Sequence, residues 1–330
     1  MFRILYAAGN SYSSKIQLTR FLEAMKDKPY LIKTAAYRKS SPTNYNIDWT
    51  LDCILNIYRP SAISDDFKLN DNLSIYFEQV KRFNPDLIIS DLEYFTSYIA
   101  NVLNINIWQC SPILIKNAVS FEQKYNLGEK FYKIYFDLET YNSRLTNIIT
   151  NSNCNLIYSH FGDLKRPPPI KENFEWIRPY HYIGKYFPPC KHNIISGSLN
   201  SNKSIYQFLG RHNDSIAFTE HYDEQYSNVV LKDINDKNEY ICNLHNSNLF
   251  VCEGQGSFLA DAFYNNKYSI IMLDSTEVEC IINHLYSSGL GLSKTIYASH
   301  EDISECFERT VEFKYSDNVK FLHEKIEEIL

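Results

Sequence analysis

The sequence predicts an α/β protein built as two doubly wound halves, each a parallel sheet covered by helices. Three observations carry this. Short buried-strand runs alternate with helical stretches along the chain, the pattern of parallel sheets with helical crossovers. The alternation halts at proline punctuation, Pro167-Pro168-Pro169 and Pro188-Pro189, and then restarts. Finally, 330 residues with 44% apolar content exceed one compact core and suit two domains. The boundary is expected at residues 187–191.

The first element is a buried strand over residues 3–8, ended by Gly9. Asn10 to Ser13 form a polar turn, and Ser14 with Gln17 matches a capping box ahead of the apolar stripe Leu18, Phe21, Leu22 and Met25. A strand at 31–36 follows. A helix over 72–83 leads through Asn84-Pro85 into a strand at 86–89. Next, Ser90-Asp91-Leu92-Glu93 reads as a second capping box opening a helix. A strand at 105–109, a helical region over 121–151 interrupted by Gly128, and a last strand at 155–159 complete the first half.

Beyond the boundary the expected order is strand 192–196, helix 203–209, strands 215–219 and 228–232, and helix 239–246. Leu249, Phe250 and Val251 then make a strand, residues 253–257 break it with two glycines, and Phe258, Leu259, Ala262 and Phe263 recur at helical spacing. A further strand and helix reach Gly291, and an amphipathic helix over 318–330 ends the chain.

The turn before Phe258 is a candidate seat for a phosphate. A helix starting near Ser257 has first N–H groups with no partner inside the helix, and its positive dipole end points at the turn. Gly254 and Gly256 let a ligand approach the backbone. An ordinary tight βα connection would read the same, so the following segment matters. Glu279 and Asn283 fall at the spacing E-x-x-x-N, followed by Gly289-Leu290-Gly291.

In these residues the C-terminal half resembles the donor-binding domain of GT-B nucleotide-sugar glycosyltransferases, in particular the group containing the bacterial cell-wall GlcNAc transferase and the UDP-glycosyltransferases. Glu253, Gly254, Gln255, Gly256, Ser257, Asp261 and Ala262, then Glu279, Asn283, Gly289 and Gly291, stand at the family's positions. The chain departs from the pattern at Gln255 (a glycine in the family), Phe258 (threonine), Tyr268 (proline), Cys280 (glutamine) and His284 (alanine). The match covers residues 248–291, and the rest of the chain follows only in its order of elements.

The resemblance implies two Rossmann-like domains facing across a cleft: an acceptor-binding domain at 1–187, a donor-binding domain at 188–315, and a C-terminal helix at 316–330 packing back on the first. It implies an inverting, metal-independent hexosyltransferase moving a sugar from a nucleotide diphosphate donor, a UDP-sugar first, to a hydroxyl acceptor. No metal or cofactor is expected beyond the nucleotide-sugar co-substrate. Gly254, Gln255, Gly256 and Ser257 would hold the diphosphate, Glu279 would accept hydrogen bonds from the ribose diol, and Asn283 would complete the donor site.

Such a transfer needs a base. The resembled group often places a histidine on its first loop, where this chain has Gly9-Asn10-Ser11-Tyr12-Ser13-Ser14. Asn10, Ser11 and Ser13 are expected to line the acceptor side of the cleft. Asp91, at a strand end, is a competent base once partly desolvated, with Glu93 second. Both carboxylates also suit a helix start. His160, also placed at the cleft, and His181 are further candidates.

A net charge of −6 with scattered lysine and arginine argues against a broad nucleic-acid surface. A hydroxylated nucleobase in phage-type DNA stands as an alternative acceptor, not indicated by charge. A nucleotide-sugar hydrolase or epimerase of the same fold, or a catalytically silent sugar-nucleotide-binding subunit, are the competing readings. The eight cysteines show no C-x-x-C pair and no regular spacing, so neither a disulfide framework nor a zinc site is expected. The first apolar run is too short for a signal peptide, and no run is long enough to span a bilayer. A cytoplasmic protein without a transmembrane segment is expected.

Overall fold

The computed structural model of the protein describes residues 1–51, 71–119, 142–183, 192–198, 202–220, 229–273, 278–296, 301–309, 311 and 319–330. Its strands form two sheets in which all pairings are parallel. The first sheet holds β1 (Phe2–Ala7), β2 (Tyr30–Ala36), β3 (Trp49–Thr50), β4 (Leu87–Ser90), β5 (Ile107–Ser111), β6 (Cys154–Tyr158), β7 (Phe174–Arg178) and β14 (Lys320–Phe321), in the order β14-β7-β6-β5-β4-β1-β2-β3. The second holds β8 (Ile194–Gly197), β9 (Ser215–Thr219), β10 (Val230–Asp233), β11 (Leu249–Cys252), β12 (Tyr268–Met272) and β13 (Ser293–Ile296), in the order β10-β9-β8-β11-β12-β13.

Helices return the chain between strands. Those of the first half are α1 (Tyr12–Met25), α2 (Asp71–Phe83), α3 (Tyr94–Leu103), α4 (Ile115–Ala118) and α5 (Asn142–Thr150). Those of the second are α6 (Lys203–Leu209), α7 (Lys237–Asn246), α8 (Gly256–Tyr264) and α9 (Val278–Gly289), and α10 (Leu322–Glu327) ends the chain. Strands β4, β5, β8, β9, β11 and β12 are buried at every residue, because helices cover both faces of each sheet. Alternate residues of β1 feed opposite faces: Ile4 and Tyr6 join one core cluster, Leu5 and Ala7 another. A further cluster joins the halves, packing Ile281, Ile282, Leu285 and Tyr286 of α9 against Ile113, Leu114, Phe161 and Trp176 of the first.

In each sheet the strand order reverses once, between β1 and β4 and between β8 and β11. At these points successive crossovers diverge to opposite faces and leave a crevice at the carboxyl ends of the strands, where open α/β sheets take their ligands.

Several expected boundaries shift. Helix α1 begins at Tyr12 with Ser11 as its N-cap, not at a Ser14 box. Helix α3 begins at Tyr94 with Glu93 as its N-cap, so the Ser90–Glu93 segment precedes the helix. The strand ending at Tyr158 is not the last of its half, because β7 follows and pairs with it in parallel. The final stretch is a short strand, β14 beside β7, before the six-residue α10. The expected boundary at 187–191 and the first part of the expected 121–151 helix lie outside the described residues.

Candidate active site

The β1/β4 crevice of the first sheet is built around Asp91. Its backbone N–H donates to Ala7 O at 2.9 Å, which extends the β1–β4 pairing by one residue and leaves the side chain at the strand ends. Ser11 caps α1 by accepting from Ser14 N at 2.9 Å, its Oγ lies 2.8 Å from Ser14 Oγ, and Ser14 Oγ donates to Asp91 Oδ2. The amino end of α1 therefore abuts a carboxylate, the arrangement its dipole favours. Gly9 makes this contact fit, since a Cβ there would stand 2.7 Å from Asp91 O and 2.9 Å from Ser14 Oγ. Asp91 is 5% exposed, whereas Asn10 and Ser11 stand partly exposed on the turn. Ser13, expected at the cleft, is buried.

The other expected acid–base groups turn inward. Glu93 accepts from Phe95 N at 3.2 Å, Thr96 N at 2.6 Å and Tyr37 OH at 2.8 Å, so its carboxylate is engaged in capping α3 rather than presented as a base. His160 does not line a cleft: it is fully buried, its ring centroid 4.1 Å from that of Phe161 and 4.9 Å from that of Phe263, and burial lowers its pKa to about 3. His181 stacks on Tyr264 at 3.7 Å, and burial lowers its pKa to about 4.

The second crevice lies where β11 turns into α8. Gly254 has φ +109°, and a Cβ there would stand 3.0 Å from Cys280 O, so the position demands glycine. Asn283 Nδ2 donates to Gly254 O at 2.8 Å, and Gly256 N donates to Glu279 Oε1 at 2.7 Å. Two α9 side chains one turn apart thus clamp the glycine turn. The Gly256 amide, expected to be open to an anion, is already bonded to one: Glu279 places a carboxylate oxygen at the amino end of α8. The amides of Ser257 and Phe258 follow it and have no acceptor within their own helix. Gln255 Nε2 donates to Glu253 Oε2 at 2.8 Å, and Asn202 donates to the other oxygen of Glu253.

Between the crevices run charged contacts that sequence reading missed. Arg20 of α1 grips α8 bidentately, Nη1 to Asp261 Oδ1 at 3.0 Å and Nη2 to Oδ2 at 2.6 Å, while Nη1 also donates to Ser257 O at 3.0 Å and Tyr180 O at 2.8 Å. Tyr182 N and Tyr240 OH complete the shell of Asp261, at 2.8 and 3.1 Å. Lys15 pairs with Glu220 at 2.5 Å, and Lys237 pairs with Glu23. Beside these pairs lies a cavity of about 50 Å³ lined from both halves, by Lys15, Thr19 and Arg20 on one side and Glu220, Tyr240 and Phe258 on the other. One signal was present in the sequence: Asp261 is a lone acid in the apolar run Leu259, Ala260, Ala262, Phe263, and such an acid needs a buried cation.

Among the described residues no group of three or more His, Cys, Asp or Glu side chains is placed to hold a metal ion, and no helix is long and apolar enough to cross a membrane.

No family model matches the chain, and no curated protein matches its sequence. Solved structures do match. SsfS6, a glycosyltransferase of Streptomyces sp. SF2575, aligns with a TM-score of 0.56 at 11% identity over 89% of this chain and 88% of that one. The spinosyn rhamnosyltransferase SpnG in complex with thymidine diphosphate aligns with 0.56 at 7% identity over 94% and 88%. A Listeria monocytogenes protein assigned as a UDP-N-acetylglucosamine 2-epimerase aligns with 0.53 at 9% identity over 96% and 93%. At these identities the likeness is one of fold: the chain has the two-sheet GT-B fold of these glycosyltransferases.

Proposed function

We propose that the protein is an inverting, metal-independent glycosyltransferase that moves a sugar from a pyrimidine nucleoside diphosphate donor, a UDP-sugar first, to a hydroxyl acceptor. The observation that carries this reading is that each sheet holds a different part of the chemistry at the carboxyl ends of its strands. The crevice of the first holds a carboxylate, Asp91, at the amino end of α1. That of the second holds a glycine turn whose helix already binds an anionic oxygen, that of Glu279.

In this reading the acceptor hydroxyl lies against the β1/β4 edge and gives up its proton toward Asp91 as its oxygen attacks the anomeric carbon from the face opposite the leaving group. The donor diphosphate lies at the amino end of α8. As the bond to the β-phosphate breaks, charge grows on the departing oxygen, and the amides of Ser257 and Phe258 stabilise it by roughly 3 kcal/mol, the scale of one donor in comparable oxyanion sites. Gly254 and Gly256 let α9 close on the turn, since a Cβ at either would stand against Cys280 or Glu279. Glu279 and Asn283 hold the turn in shape, and Glu279 also accepts from the ribose diol. Residues 1–187 would bind the acceptor and 188–315 the donor, with 316–330 returning to the first sheet. The thiols at Cys110, Cys154, Cys252 and Cys306 suit a reducing, cytoplasmic setting.

The test is turnover of UDP- and dTDP-sugars to the free nucleoside diphosphate. The reading expects conversion that depends on added acceptor and is unchanged by chelator. No binding of any nucleotide-sugar by calorimetry would remove it. A second reading, an epimerase or hydrolase of the same fold, draws on the likeness to the Listeria monocytogenes protein assigned as a UDP-N-acetylglucosamine 2-epimerase. Rapid conversion of donor without acceptor would select it.

A further inference from the structure

We infer that the acceptor proton reaches Asp91 through an oriented chain of two hydroxyls, Ser11 and then Ser14, rather than by direct contact with the carboxylate. The inference rests on the glycosyltransferase reading and assigns two side chains that reading leaves without a role.

The geometry fixes the direction of the chain. A serine hydroxyl has one proton to give and two lone pairs to accept with. An ionised carboxylate only accepts, so the Ser14–Asp91 bond spends the one proton of Ser14. The 2.8 Å bond between Ser11 Oγ and Ser14 Oγ must then be donated by Ser11. Ser11 Oγ takes the Ser14 amide proton on one lone pair, and its second is the entry for a proton from outside. Every hydroxyl therefore points its proton toward Asp91. Ser11 is the open end of the chain: it is partly exposed, whereas Ser14 is 3% exposed and Asp91 5% exposed. A bulky acceptor meets Ser11 before it can meet the carboxylate.

The step balances. The acceptor O–H bond breaks as its oxygen bonds to the anomeric carbon. Its proton passes to Ser11 Oγ, the Ser11 proton passes to Ser14 Oγ, and the Ser14 proton passes to Asp91 Oδ2. The bond from the anomeric carbon to the diphosphate oxygen breaks, and its electron pair leaves with the diphosphate. Both serines end neutral and Asp91 ends protonated, to be restored by loss of that proton to solvent. Gly9 belongs to the device, because a Cβ there would press on both Ser14 Oγ at 2.9 Å and Asp91 Oδ2 at 3.0 Å.

The experiment is single-turnover kinetics in mixtures of H₂O and D₂O, with Ser11→Ala, Ser14→Ala, Ser14→Thr and Asp91→Asn beside the wild type. A relay moves several protons at once, so the wild-type rate should fall along a curved line as the deuterium fraction rises. Ser14→Ala and Asp91→Asn should each lower the rate about 100-fold, the scale of a lost general base, and should not compound in the double variant. Nucleotide-sugar affinity should be unchanged, and Ser14→Thr, which keeps the hydroxyl, should recover most of the rate. A straight dependence on deuterium, or a Ser14→Ala rate within threefold of wild type, overturns the relay and leaves the glycosyltransferase reading standing. Failure of the wild type to bind any nucleotide-sugar overturns both.

Discussion

Glu279 is the residue whose position changed most in meaning between sequence and structure. Its place in the resembled family's pattern implied a partner for a ribose, and its carboxylate is found on the Gly256 amide, where a phosphate oxygen was expected. The two roles separate by ligand. Inorganic pyrophosphate has no ribose, so it feels only the repulsion of the carboxylate at the helix end. Glu279→Gln should therefore tighten pyrophosphate binding about fivefold, the scale of one charge at a helix terminus. The same variant should weaken UDP binding tenfold or more through the lost charged hydrogen bond to the diol. Calorimetry with both ligands reads the two signs, and parallel shifts would reject the dual role. Gly254 gives a simpler expectation. Its φ of +109° excludes side chains, and Gly254→Ala should cost about 1–3 kcal/mol in urea unfolding.

Helix starts were the elements least legible in the sequence, and the reason is physical. Ser11 and Ser14 both precede the apolar face of α1 at plausible distances, and only the end of β1 decides which of them caps it. At α3 the text Ser90-x-x-Glu93 read as a box opening on Ser90, but β4 runs through Ser90 and the helix waits for Glu93. Strand β7 went unread because Phe174, Trp176 and Ile177, its buried residues, are interleaved with Glu175 and Arg178 and follow a run of prolines. The strands of the second half, by contrast, were plain, since β9 and β11 are unbroken runs buried on both faces. The structural role of Glu93 is testable at this scale. Glu93→Ala should lower stability by about 1–2 kcal/mol, the cost of a lost cap, while leaving the shape of any pH–rate profile intact. A change in that profile would return Glu93 to the list of bases.

The whole molecule is held by contacts whose partners no local pattern could name. Helix α1 carries Lys15, Arg20 and Glu23, and each pairs with a residue of the second half. The Arg20–Asp261 pair is fully enclosed, so Asp261→Ala should destabilise by roughly 3–5 kcal/mol, because it leaves a guanidinium buried without its anion. The chain also buries histidines, and these set its response to acid. Burial lowers the pKa of His160 to about 3, and those of His181 and His284 to about 4, against about 6.5 in an unfolded chain. The folded state holds the rings neutral while the unfolded state takes up protons below that value. The stability they contribute is whole above pH 6.5 and is lost as pH falls toward 4. At pH 5 the loss is about 2 kcal/mol for His160, 1.5 pH units at roughly 1.4 kcal/mol each, and somewhat less for the other two, whose rings keep more contact with water. Urea unfolding at pH 7.5 and pH 5 should therefore differ by several kcal/mol. His160→Phe should remove about 2 kcal/mol of that difference, and equal stability at both pH values would mean that these rings are not held neutral in the fold.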